Sequence, residues 1–151
     1  MDPARAIANL LGAYCERIDL GDFDGVGALF ADGALADEHG TELARGAEAV
    51  AAFYRAGTQL HEGSPRTKHL VVNSILEVEE GADRATCRSS YVVLQAAPGQ
   101  PLQPIIAGRY HDTFRDGPEG WAFAERRFLV DLAGDLAHHL RFDLPGPTRE
   151  G

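Results

Sequence analysis

His69 and Asn73 lie four residues apart in RTKHLVVNSILEVEEG, residues 66–81, a stretch that otherwise reads as a long strand. Imidazole is the side chain best suited to moving protons near neutral pH. Strand side chains alternate, so Thr67, His69, Val71, Asn73 and Ile75 share one face, with Lys68, Leu70, Val72, Ser74 and Leu76 on the other. Both faces carry apolar residues, which places His69 and Asn73 among apolar neighbours lining one side of a pocket. A buried imidazole without a partner costs ~1–3 kcal/mol, so something must face His69. Asp19 is the best candidate, at the end of a first helix and flanking its apolar stripe. Tyr14, Asn73 and either Arg126 or Arg127 add a hydroxyl, an amide and a guanidinium that could bind a substrate or steady negative charge. Arg126 and Arg127 face oppositely in a strand, and the sequence leaves open which turns inward.

Those residues need elements to hold them. Ile7, Leu10, Leu11, Tyr14 and Ile18 repeat at spacings of three and four from Pro3 to Asp19, with Asp2 as N-cap and Pro3 in the first turn. Gly21 ends this helix, and Asp22 caps a short second one, Phe23 to Ala31. One or two short strands fit Ala34 to Ala44, and a third helix fits Gly46 to Leu60 through Val50, Phe53 and Tyr54. The period then changes to two, giving strands over Thr67–Glu79, Arg84–Ala97, Ile105–Arg115 and Trp121–Leu132. Turn-rich EEGAD, PGQPLQP and RDGPEG join them as an antiparallel meander. Helices first and sheet last make an α+β domain over residues 1–133, with residues 134–151 as a loosely held C-terminal tail.

Composition narrows the function. A length of 151 residues suits one domain, and no apolar run approaches the ~20 residues of a membrane span. A net charge of -9 repels a nucleic-acid backbone. Cys15 and Cys87 lack C-x-x-C spacing and the N-terminus lacks signal-peptide order, so we expect a reduced cytoplasmic protein with both thiols in the core. GDFDG resembles part of a calcium loop, yet Leu20 and Ala31 occupy its first and twelfth ligand positions. Adjacent His138 and His139 diverge in an extended chain and find no third ligand, so we expect no metal.

ERIDLGDFDGVGALFA, TKHLVVNSILEVEE and GRYHDTFRDGPEGWAFAERRFLVD, in that order, resemble the SnoaL-like branch of the NTF2-like superfamily from roughly Ala6 to Asp131. The resemblance implies a cone of curved antiparallel sheet wrapped over three N-terminal helices, closed around a deep pocket. Dehydratase-like members carry an Asp at the I-D position and a His at the strand position as a catalytic dyad. Carried over, Asp19 would hold one nitrogen of His69 and fix its tautomer, leaving the other to abstract a proton. The implied activity is a cofactor-free lyase or isomerase acting on a small, mostly apolar, cyclic or carbonyl-bearing substrate.

Other readings stay open. The pair could simply satisfy a core, Tyr14 could be plain packing, and an inward arginine could only pair with Asp19, Asp112 or Asp131. The superfamily also holds non-catalytic ligand-binding or accessory modules and dioxygenase small subunits. Apolar residues on both strand faces lead us to expect a homodimer through the outer sheet face.

Overall fold

The computed structural model describes residues 2–81 and 83–144. Helix α1 runs Pro3–Asp19, with Asp2 as N-cap and Ile7, Leu11, Tyr14 and Ile18 buried. Helix α2, Phe23–Ala28, is capped by the Asp22 carboxylate, which accepts the Gly25 N–H at 2.9 Å. Helix α3, Ala47–Gly57, buries Val50, Ala51 and Tyr54. Gly27 lets α2 approach it closely, since a Cβ there would lie 2.3 Å from the Ala47 carbonyl oxygen. Helix α2 stops at Ala28, short of the expected Ala31, and Phe30 packs on the core from the turn after it; α3 stops at Gly57, short of Leu60, which is exposed and so gives no reason for the helix to continue. Among the described residues no helix is long and apolar enough to cross a membrane.

Six strands follow: β1 (Ala34–Ala36), β2 (Glu42–Arg45), β3 (Thr67–Val78), β4 (Arg84–Gln95), β5 (Gln103–Gly117) and β6 (Gly120–Ala133). They form one curved sheet in the order β2-β1-β6-β5-β4-β3. The meander from β3 to β6 is antiparallel as expected, whereas β1 pairs with β6 in parallel, making the sheet mixed. Register shifts at Val93/Leu94, Ala107/Gly108 and Thr113/Phe114 bend the long strands so that one face wraps the helices. Between them lies an aromatic core built on Phe30, Phe114 and Phe123.

The alternation of β3 breaks at one point. Val72 pairs with Ser90 and Ile75 with Arg88, so Asn73 and Ser74 together oppose Ser89. This is a bulge, with Asn73 at φ 55°. Beyond it the faces exchange: Ile75 is 51% exposed while Leu76 packs on the core. The expectation that Asn73 lines the pocket beside His69 is thus corrected, since strict period two fails where an extra residue enters. Asn tolerates the left-handed region better than branched residues. Asn73→Gly is expected to be close to neutral, and Asn73→Val to lower unfolding free energy by about 1–2 kcal/mol in urea titration.

The segment after Gly134 also departs from expectation. Up to Leu144 it folds back over the open end of the cone, where Arg141 N–H donates to the Gly57 carbonyl and Gln59 N–H to that of His139. Its backbone polar groups find partners in the turn after α3, which is why it is ordered rather than loose. The expected tail beyond residue 144 lies outside the described residues.

Candidate active site

Helix α1 ends at the edge of β3, and this juxtaposition brings Asp19 to His69. His69 Nδ1 lies 2.6 Å from one carboxylate oxygen, and the His69 backbone N–H donates to the other at 2.9 Å. The Thr67 hydroxyl donates to the first oxygen, also at 2.9 Å. Both side chains are largely buried. Burial pushes the Asp19 carboxyl upward, but the ring hydrogen bond and charge of His69, its backbone N–H and the Thr67 hydroxyl outweigh that and hold it below the ordinary value. An ionised Asp19 accepts a proton on Nδ1, so the remaining lone pair of a neutral ring is on Nε2. Nε2 has no hydrogen-bond partner among the described residues.

His69 opens onto a cavity of about 620 Å³. Its walls are mainly aromatic and aliphatic, with Tyr14, Tyr54, Tyr91, Tyr110 and Phe128 among them. Such a space suits a small, mostly apolar ligand with few polar groups. Tyr14 sits with its ring centroid 6.4 Å from that of His69, and its hydroxyl hydrogen-bonds to that of Tyr54. Burial raises both phenols, that of Tyr54 well above its ordinary value and that of Tyr14 with opposition from the Arg126 charge. Both phenols therefore remain protonated at neutral pH; one donates to the other, which leaves the pair one O–H to offer elsewhere.

Of the two candidate arginines, Arg126 turns inward and Arg127 outward. Arg126 is fully buried, donates through Nε and Nη2 to Asp112 at 2.8 and 3.0 Å, and lies over the rings of Tyr110 and Tyr14 at 3.6 and 4.3 Å. Burial alone would lower its affinity for the proton, but the Asp112 carboxylate holds it charged. It supports the tyrosines from behind and is not part of the cavity wall. Arg127 instead pairs with Glu125 at 2.5 Å, partly exposed, so it is removed from the site. Asn73 is exposed and likewise absent from the wall.

Tyr54 and His139 do line the cavity and escaped the sequence reading. Tyr54 was concealed in the apolar stripe of α3, and His139 in an adjacent histidine pair with no metal-ligand spacing. His139 is 9% exposed, and burial followed by the nearby His69 pushes its pKa down to about 4. In the unfolded chain an imidazole titrates near ~6.5, so below that pH the unfolded state takes up a proton that the folded state refuses. Stability should fall as pH drops from ~6.5 to ~4, by about 2–3 kcal/mol at pH 4.5 relative to pH 7. Asp19, with its folded value depressed, adds a second loss only at still lower pH. Urea unfolding across this range should show the upper step, and His139→Gln should remove most of it, leaving the same-sign contribution of His111, whose pKa burial also lowers.

A SnoaL-like domain model matches residues 2–127. No curated protein matches. Among solved structures, an Asp-to-Asn variant of Rv3472 from Mycobacterium tuberculosis, a protein of unknown function, is 29% identical with a TM-score of 0.67, covering 83% of this chain and 69% of its own. A scytalone dehydratase-like protein of Novosphingobium aromaticivorans is 19% identical with a TM-score of 0.69, covering 95% and 90%. The beta subunit of an aromatic-ring-hydroxylating dioxygenase-like protein of the same organism is 20% identical with a TM-score of 0.64, covering 85% and 88%. The last two show likeness of fold. With the helices, sheet and cavity arranged as above, and the family model spanning most of the chain, the protein belongs to the SnoaL-like family of the NTF2-like superfamily.

Proposed function

We propose that the protein is a cofactor-free lyase or isomerase that removes a proton from a small, mostly apolar, cyclic or carbonyl-bearing substrate. The observation that carries this reading is the 2.6 Å contact between His69 and Asp19 at the wall of an aromatic cavity. His69 Nε2 takes the proton as general base, and Asp19 orients the ring and stabilises the imidazolium that forms. The tyrosine pair at the cavity wall, with Arg126 behind it, favours the negative charge left on the substrate. The likeness to a scytalone dehydratase-like protein supports the same reaction class by analogy of fold.

Solvent-deuterium incorporation into 2-tetralone, a fused-ring ketone with acidic C–H bonds, tests this when followed by proton NMR. Catalysed exchange without added metal or cofactor is the expected result. Tight binding of such ketones with no exchange would favour the accessory-module reading instead.

We further propose a homodimer through the outer sheet face, where Leu70, Val72 and Ile75 of β3 are exposed. Sedimentation should give twice the chain mass at micromolar concentration, and a monomer throughout would count against it.

A further inference from the structure

The ring of His139 lies 6.5 Å from that of His69, centroid to centroid, with the planes at 66°. It reaches the cavity from the C-terminal segment, not from the helices and strands that supply the dyad. That segment is clamped by its main chain. The carbonyl of His138 accepts from His61 Nε2 at 2.8 Å and from Gln95 Nε2 at 3.0 Å. The carbonyl of His139 accepts the Gln59 N–H at 2.8 Å, and the Gln59 side chain donates to the carbonyls of Ala137 and Leu140 at 2.7 and 2.6 Å. None of these bonds uses the imidazole of His139, so the ring is held in place without being what holds the segment.

The two ring nitrogens of His139 differ. Nδ1 is sealed from solvent and cavity alike and has no hydrogen-bond partner. Either an N–H or a lone pair is unsatisfied there, but orphaned buried N–H groups are the rarer of the two in folded proteins, and a proton on the other nitrogen keeps the donor where a partner can reach it. The proton therefore belongs on Nε2, the one nitrogen not sealed away. His69 has the opposite assignment, with its proton on Nδ1 toward Asp19 and its lone pair on Nε2. One imidazole offers a base and its neighbour a neutral donor.

We propose that His139 is a second working imidazole of this site, donating from Nε2–H to the oxygen of a carbonyl-bearing substrate while His69 removes the proton from the adjacent carbon. This rests on the reading of His69 as general base. In the step, the C–H bond breaks and its proton goes to His69 Nε2. The electron pair forms a carbon–carbon double bond, and the carbonyl π pair moves onto oxygen, which accepts the His139 hydrogen bond. The two rings are in edge contact, so the substrate would sit against both from the cavity side, its oxygen at ~2.9 Å from one ring nitrogen and its neighbouring carbon at a near-attack distance of ~3–3.5 Å from the other. The low proton affinity of His139 keeps it a neutral donor across the working pH range.

Long-range proton–nitrogen NMR of the whole protein, labelled on histidine, reads this directly. At pH 7, His139 is expected to be neutral with its proton on Nε2, and 2-naphthol, an enol mimic, should shift that nitrogen whereas naphthalene should not. In the deuterium-exchange assay, His139→Phe is expected to lose about 100-fold in rate, with His139→Gln, which keeps an N–H donor, recovering to within about tenfold of wild type. If His69→Ala abolishes exchange while His139→Phe retains it, the inference fails and the reading of His69 stands. If wild type catalyses no exchange, that reading falls, and the NMR result still decides. A proton on Nδ1, or a His139 resonance unmoved by saturating 2-naphthol, overturns the donor role.

Discussion

His69→Ala is expected to lower the rate of proton abstraction by at least ~100-fold while leaving ligand affinity within about tenfold. General-base contributions run to about 100–10,000-fold, and the apolar wall supplies most of the affinity. Asp19→Asn is the sharper variant. It preserves the shape of the contact but removes the negative charge, and the amide can present an N–H toward Nδ1, favouring the wrong tautomer. Its loss should therefore approach that of His69→Ala. The Asp19 carboxylate also holds Thr67 and the backbone of β3, so unfolding curves must accompany the rates. A stable Asp19→Asn protein with full exchange activity would show the pair to be architectural, and the accessory-module reading would take its place.

The largest stability effect is expected at Asp112. Its carboxylate and the Arg126 guanidinium have no exposed side-chain surface, and they meet through two hydrogen bonds. Asp112→Ala leaves a cation in the core that cannot shed its proton, with rings as its remaining neighbours. The expected cost is about 3–5 kcal/mol, or roughly 6–20 °C in Tm for a domain of this size. Removing both charges together, as in Asp112→Leu with Arg126→Met, should recover much of that loss, since no ion is then stranded. Urea titration and thermal melts of the single and double variants check both statements. A single variant within 1 kcal/mol of wild type would mean that water or another group solvates the guanidinium.

The sequence by itself determined the order and type of the main elements and named Asp19 as the partner of His69. Helix α1 was legible to its last residue because Asp2 and Pro3 mark its start, Gly21 lies just past its end and an unbroken stripe marks one face. The four long strands were legible from period two and their Gly/Pro/Asp turns. The Asp19–His69 meeting followed once the family resemblance placed the end of α1 against β3.

What depended on three dimensions was local geometry and long-range return. The bulge at Asn73 adds one residue without any change in composition, so it was invisible to a periodic reading and carried Asn73 off the wall. The inward turn of Arg126 was decided by strand register against β5, which sets it beside Asp112. The parallel pairing of β1 with β6 joins residues about ninety positions apart, and three-residue strands carry too little pattern to announce a partner. His139 enters the cavity because the main chain of residues 137–141 is held on the turn after α3 by the backbone of Gly57 and Gln59, and by the side chains of Gln59, of His61 and of Gln95 at the end of β4. Main-chain donors and acceptors are the same in every residue other than proline, so only the folded arrangement selects which of them meet.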